Sequence, residues 1–150
     1  MRRIAIAICF LLAPVAAQAI NCTWDVVPTN INFGAYSAFS SSAVTATSAF
    51  QFTCTPPAIA TMTISRGTSA SFNPRIMTRT TLPAITMNYN LFMDQPGSRI
   101  WGDGTGGSQT LTATSAAGSA SFQVFGRIPA RQGQVHVGSY SDTIMVTVNF

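Results

Sequence analysis

The stretch Phe50-Gln51-Phe52-Thr53-Cys54 alternates apolar and polar residues at every position. Successive side chains of an extended chain point to opposite faces, so this pattern places both phenylalanines and the cysteine on one face. A helix would repeat its apolar residues every three or four positions, and no such stripe occurs after residue 19. The stretch therefore predicts a β-strand with one buried face.

The same two-residue period recurs on both sides of this strand. Alternating runs cover residues 60–64, 85–93, 122–124 and 144–150. Within the second run, Asn88 and Asn90 are expected on the face opposite the apolar residues, and Gly126 follows the third run where a side chain would crowd its neighbours. Glycine and proline punctuate the gaps, as turns require. Several short strands in one domain indicate an all-β sandwich.

The first residues carry the pattern of an export signal. Arg2-Arg3 precedes the apolar run Ile4–Val15, and Ala17-Gln18-Ala19 has the small-x-small form of a signal-peptidase site. The alternative, a membrane anchor, would need about 20 apolar residues, more than this run contains. We expect residues 1–19 to be a removed signal peptide, and residues 20–150 to form one domain of an exported protein that is not integral to the membrane.

The cysteines support export. Cys9 lies in the predicted signal peptide, which leaves Cys22 and Cys54, and an even pair in an exported protein predicts a disulfide. Two unpaired buried thiols remain an alternative. So does a lipid anchor on Cys22, although the residues ahead of it lack the usual lipoprotein pattern. A structural zinc site would need four ligands, and His136 is the only histidine. We expect no metal and no cofactor.

Composition argues against several classes of function. The chain has no lysine and no glutamate, and residues 20–150 carry six scattered arginines against four aspartates. Nucleic-acid binding usually shows a clustered basic stripe, which is absent from this sequence. Few charges with many Ser, Thr, Ala and Gly are typical of a surface that neighbours will cover, and equally of an exported protein.

An ordered series of motifs gives most of the chain a family likeness. The series comprises Cys22, Asn32-Phe33-Gly34-Ala35-Tyr36, Phe50-x-Phe52-x-Cys54, Asn88-Tyr89-Asn90-Leu91-Phe92, Ile100-Trp101-Gly102-Asp103-Gly104-Thr105, Val124-Phe125-Gly126-Arg127-Ile128 and Gly138-Ser139-Tyr140-Ser141-Asp142-Thr143. In these motifs the chain resembles the spore coat U domain family, which includes the subunits of archaic chaperone–usher pili.

The resemblance implies an incomplete immunoglobulin-like sandwich whose last strand is absent. The groove left behind would be filled first by a periplasmic chaperone and then, at the outer-membrane usher, by the N-terminal extension of another pilus subunit. An open groove exposes apolar surface and an unpaired sheet edge, both costly in water. We expect Ile144, Val146, Val148 and Phe150 to line this groove, and the protein to reach the cell surface through the periplasm.

One departure from the family pattern concerns the segment before Cys22. Related shaft subunits carry a dozen or more alternating residues there, and that segment is the donor strand. Cleavage after Ala19 would leave only Ile20-Asn21, which span about 7 Å at ~3.3 Å per residue. We therefore expect a subunit that accepts a strand, donates none and ends a polymer, although the tip proteins of these pili resemble two such domains in tandem.

The remaining candidate sites each have a structural alternative. Residues 101–107 resemble a calcium or phosphate loop, but Asp103 is the only carboxylate among them and there is no lysine, so a structural turn is favoured. His136 is expected on the surface rather than as a catalytic base, because no partners can be named for it. Asp142 is expected to shape a turn through a side-chain hydrogen bond.

Three functions are compatible with the sequence. A structural subunit is favoured by the motif series. A stand-alone adhesin or glycan-binding module is the alternative, with Trp24, Tyr36 and Trp101 as stacking faces. Tyr36 and Phe39 lie in a loop that either packs on the sandwich or contacts a surface. An enzyme is disfavoured, because no acid–base pair or nucleophile can be named.

Overall fold

The computed structural model describes residues 19–26, 30–115 and 118–150, so the predicted signal peptide lies outside the described residues except for Ala19. The described chain is all-β. Its strands are β1 (Asn21–Val26), β2 (Val44–Thr55), β3 (Ile59–Ile64), β4 (Arg75–Arg79), β5 (Thr86–Phe92), β6 (Leu111–Thr114), β7 (Ser119–Ile128), β8 (Tyr140–Ser141) and β9 (Val146–Asn149). No helix in the described residues is long and apolar enough to cross a membrane.

Two antiparallel sheets form the sandwich. The larger has the order β1-β2-β7-β5-β4-β8 and the smaller the order β6-β3-β9. The pairings bring the loops 37–43, 80–85 and 129–139 to one end, here called the upper end. The connection between β2 and β3, residues 56–58, lies at the opposite or lower end. This architecture confirms the predicted immunoglobulin-like sandwich lacking a strand.

Strand β2 is the central element of the larger sheet. It pairs with β7 over ten positions, from Val44 opposite Ile128 to Thr53 opposite Ser119. Phe50, Phe52 and Cys54 are buried while the residues between them are not, as the alternation predicted. Apolar residues of β3, β5 and β7 pack against this face from the same core.

Gly126 of β7 lies at a core-facing position of the larger sheet where there is no room for a side chain. A Cβ atom there would lie 2.6 Å from Cζ of Phe33 and 3.3 Å from Cγ2 of Ile31. Real Cβ contacts are longer, so these side chains can cover β7 only because the glycine is bare. The prediction of crowding at Gly126 is confirmed.

The structure departs from the sequence predictions at three strands. The run 85–93 forms a strand only over Thr86–Phe92, and Asn90 is 6% exposed rather than outward, because it bonds buried groups described below. The run 144–150 is strand only at Val146–Asn149, because the chain crosses between sheets there. Strand β4 begins with Arg75 and lacks a long alternation, so the sequence did not predict it.

Candidate functional site: the cleft beside the last strand

Strand β9 forms an open edge of the smaller sheet. It pairs with β3 on one side, with Val146 opposite Ile64 and Val148 opposite Met62, and with no described strand on the other. Both valines are partly buried and pack against the core. The predicted groove residues thus lie along a sheet edge, together with the partly buried Ile144 and with Phe150, which is 57% exposed.

The backbone of β9 presents hydrogen-bonding groups to this open side. Ser65 N donates to Met145 O at 2.9 Å, which fixes Met145 as a residue whose backbone points toward β3. Backbone direction alternates along an antiparallel strand, so Thr147 also points to β3 while Val146 and Val148 point outward. Val146 and Val148, whose backbone groups point outward, are also the residues whose side chains pack against the core. The backbone of an incoming strand could hydrogen-bond to both residues.

A cleft of about 790 Å³ opens beside this edge. One wall is the segment 30–36 and the other is the segment 135–144 with Val146. The floor consists of core side chains that the larger sheet contributes, namely Phe50, Met77, Met87, Tyr89, Leu91 and Ile128. The volume of the cleft falls within the range of typical ligand clefts, about 300–1,000 Å³. Its apolar floor between two walls can therefore accept the side chains of a further strand.

The wall formed by residues 30–36 belongs to no sheet. None of its backbone groups makes a backbone–backbone hydrogen bond to another described residue. It is held by side chains instead: Phe33 packs edge-on against Tyr89 at 6.1 Å, and the Tyr36 hydroxyl donates to Pro129 O and accepts from Gln132 N. The wall therefore stands apart from β9 and leaves the cleft open between them.

Asp142 ties the other wall to the rest of the molecule. Its carboxylate accepts hydrogen bonds from the Tyr89 hydroxyl at 2.7 Å and from Thr68 N and Oγ1 at 3.0 Å each. It also accepts from Thr143 N, which is the turn-shaping bond that the sequence predicted. Burial, and then the bond to Asp142, raise the pKa of Tyr89, so this phenol stays protonated as the donor. The chain between β8 and β9 is thereby anchored where it changes sheets.

Arg75, one of the scattered arginines of the sequence, is a fully buried cation. It donates to Asn90 Oδ1 and Trp101 O at 2.7 Å each and to Ser65 O at 3.2 Å, and its guanidinium carbon lies 4.9 Å from the Phe72 ring centroid. Burial lowers the pKa of Arg75 to about 10, so it remains charged near neutral pH. No local pattern signals this arginine, because its partners come from other elements.

The disulfide is present and pins the edge strand β1. Cys22 lies directly opposite Cys54 in the pairing of β1 with β2, with Cα atoms 4.1 Å apart. Five of the six residues of β1 are exposed, so packing alone holds this strand weakly. The prediction of a Cys22–Cys54 bond is confirmed.

Of the other candidate residues, His136 and Tyr36 line the cleft, whereas Asp103 and Phe39 do not. His136 is exposed in the loop before β8. Asp103 accepts from Thr105 N and Oγ1 within its turn, a bond that lowers its pKa. Among residues 19–26, 30–115 and 118–150, no three His, Cys, Asp or Glu side chains gather as metal ligands would. Tyr36 is half-buried in the cleft wall, whereas Phe39 is 89% exposed at the tip of a turn.

Comparisons with known proteins agree with this architecture. The fold is similar to a chain in the crystal structure of the CsuC–CsuE chaperone–tip adhesion subunit pre-assembly complex, from archaic chaperone–usher Csu pili of Acinetobacter baumannii. The TM-score is 0.57 at 15% identity, and the match covers 88% of this chain but 40% of that one. No curated protein matches in sequence. The Spore Coat Protein U domain profile matches residues 8–147. Because this match spans nearly the whole chain, the protein belongs to the Spore Coat Protein U domain family.

Proposed function

We propose that this protein is an exported structural subunit of a bacterial surface appendage or coat, completed by a strand from another protein. The observation that carries the proposal is the cleft of about 790 Å³ beside β9. An extended strand with alternating apolar residues meets both demands of this site. Its backbone bonds the outward groups of Val146 and Val148, and its side chains fill the cleft.

The expected partners follow from this mode of binding. A periplasmic chaperone occupies the cleft first, an outer-membrane usher receives the complex, and another subunit then supplies the permanent strand. The similarity of this fold to a chain in the complex of a chaperone with a tip adhesion subunit supports a chaperone as the first partner.

Completing the sandwich in one chain tests the proposal. A tight turn and a strand of about ten residues, valine alternating with threonine, would be fused after Phe150. The fusion should unfold at a clearly higher temperature than the wild-type protein, because it fills the cleft and satisfies the free edge. The matched control carries the same residues in scrambled order. Equal melting temperatures for wild type, fusion and control would contradict the proposal.

A terminal position in the assembly is the finer part of the proposal and depends on cleavage after Ala19. N-terminal sequencing of the secreted protein tests the cleavage directly. Grafting an alternating segment of about ten residues before Cys22 should then convert a non-polymerising protein into one that forms chains. Long homopolymers of the ungrafted protein would contradict a terminal role.

An adhesive contact is the second candidate function, and a specific cluster favours it. Phe39, Leu82 and Val137 are 89%, 88% and 93% exposed and lie on the three loops of the upper end. Large apolar side chains exposed together typically mark an interaction surface. We infer that these loops contact an apolar surface, with Phe39 at the tip of the turn from Ser37 to Ser40.

Adsorption to hydrophobic beads tests this contact. Replacing Phe39, Leu82 and Val137 together with serine should abolish most of the adsorption while leaving the melting temperature unchanged, because the side chains are exposed. In the control variant, serine replaces Ile59 and Met145. These side chains are 62% and 69% exposed and lie outside the upper end. Equal losses in both variants would mean that adsorption depends on general hydrophobicity rather than on these loops.

A further inference from the structure

Trp24 lies on β1 beyond the lower end of the cleft, on the face directed toward the core. It stands opposite Phe52 in the pairing with β2, and its ring centroid lies 5.9 Å from that of Phe52 and 6.1 Å from that of Phe50. Phe52 is 1% exposed, yet Trp24 is 40% exposed. Trp101, the other tryptophan that packs on Phe50, is only 1% exposed, so Trp24 is much less covered than an indole of this core can be. The described residues therefore lack an element that would cover it.

The end of β9 borders the same uncovered area. The Phe150 ring centroid lies 6.4 Å from that of Phe52. Trp24, Phe50, Phe52 and Phe150 thus form a continuous aromatic strip that joins the cleft at Phe50, which belongs to the cleft floor. Through the buried rings of Phe50 and Phe52, the strip links the cleft to two exposed rings, Trp24 and Phe150, toward the lower end of the sandwich.

We propose that Trp24 forms the lower wall of the acceptor site and contacts the incoming strand directly. This inference rests on the proposed function, because the occupant is the same strand of a partner protein. The occupant must be extended, since Val146 and Val148 offer backbone groups along a straight edge. To run from Ile144 to Phe150 at ~3.4 Å per residue, it needs at least seven residues, and its apolar alternation should continue to the end beside Trp24.

Burial of Trp24 by the strand would concentrate binding energy at this position. Tryptophan is among the residues most often found as binding hot spots, because it brings a large rigid apolar surface at a small entropic cost. The strip already holds the indole against Phe50 and Phe52, so little ordering is required when the strand arrives.

Fluorescence separates Trp24 from the only other tryptophan. Trp101 is 1% exposed and donates its indole N–H to Met62 O, so its surroundings should not change on binding. The probe is a synthetic peptide of about ten residues, valine alternating with threonine, with terminal lysines for solubility. Titrated into the purified protein, it should shift the emission to the blue and reduce acrylamide quenching. The Trp24→Phe variant should show neither change.

Affinity provides an independent measurement. Trp24→Ala should weaken peptide binding at least tenfold, equivalent to about 1.4 kcal/mol. Leu82→Ala is the matched control, because it removes an exposed apolar side chain from the upper end, and it should bind the peptide as wild type does. The spectroscopic comparison stands even where the alanine variant does not fold, since it uses wild type and Trp24→Phe.

The outcomes separate this inference from the proposed function. Peptide binding with Trp24 still open to acrylamide would overturn the role of Trp24 and leave the acceptor cleft in place. Protection of Trp24 in the free protein would also overturn it, because another part of the chain would then cover the strip. A wild-type protein that binds the alternating peptide no better than a scrambled one would overturn both.

Discussion

Replacing Arg75 with methionine tests how a buried cation holds this core together. The guanidinium, in a residue that is 0% exposed, donates to Trp101 O at 2.7 Å and to Ser65 O at 3.2 Å. Methionine fills much of the same space and donates nothing, so both carbonyl groups lose this donor. A buried acceptor left without a donor costs about 1–3 kcal/mol, which gives a loss of roughly 2–6 kcal/mol for the two.

Two further effects change the magnitude. The Phe72 ring centroid lies 4.9 Å from the guanidinium carbon, and losing this contact adds about 1 kcal/mol. Burial lowers the pKa of Arg75 from 12.5 to about 10. At about 1.4 kcal/mol per unit, the fold therefore disfavours the charged form by roughly 3 kcal/mol, a penalty that methionine removes. We expect a net destabilisation of roughly 2 kcal/mol.

Urea unfolding followed by tryptophan fluorescence measures this difference. Arg127→Met is the matched control, because Arg127 is exposed and its replacement should change the free energy of unfolding by less than about 0.5 kcal/mol. An Arg75→Met variant clearly more stable than the wild-type protein would refute the reasoning, since the cost of burying the charge would then outweigh the hydrogen bonds to the two carbonyl groups and the contact with Phe72.

Three other changes have expected outcomes. Cys54→Ala should lower the free energy of unfolding by roughly 4 kcal/mol, because the bond closes a loop between cysteines 32 positions apart in the sequence. In the wild-type protein, alkylation with mass spectrometry should find neither thiol free before reduction. Gly126→Ala should cost about 1–3 kcal/mol through the clash with Phe33, and a thermal melt should show partial recovery when Phe33→Ala is added. The raised pKa of Tyr89 means that its stabilisation is complete below about pH 10 and is lost as the pH rises through the folded-state pKa. Tyr89→Phe should therefore lose less stability than wild type between about pH 10 and pH 12.

Much of the candidate site was predictable because the relevant signal is local. The period of two residues in 144–150 pointed to Ile144 and Val146, which line the cleft, and the even cysteine pair identified the disulfide. The shortening of the last strand to Val146–Asn149 was not predictable. It follows from the crossing between sheets at Asp142, whose bonds to Tyr89 and Thr68 join positions more than fifty residues away.

By itself, then, the sequence determined that the fold is all-β, which face of the long alternating strands is apolar and where a side chain would be too large. Only the tertiary structure decided that Arg75 and Asn90 are buried and that Trp24 is partly uncovered. The physical reason is that alternation depends on neighbours in the chain. The burial of a polar or aromatic side chain depends on partners from other strands, and here on a strand position that no described residue occupies.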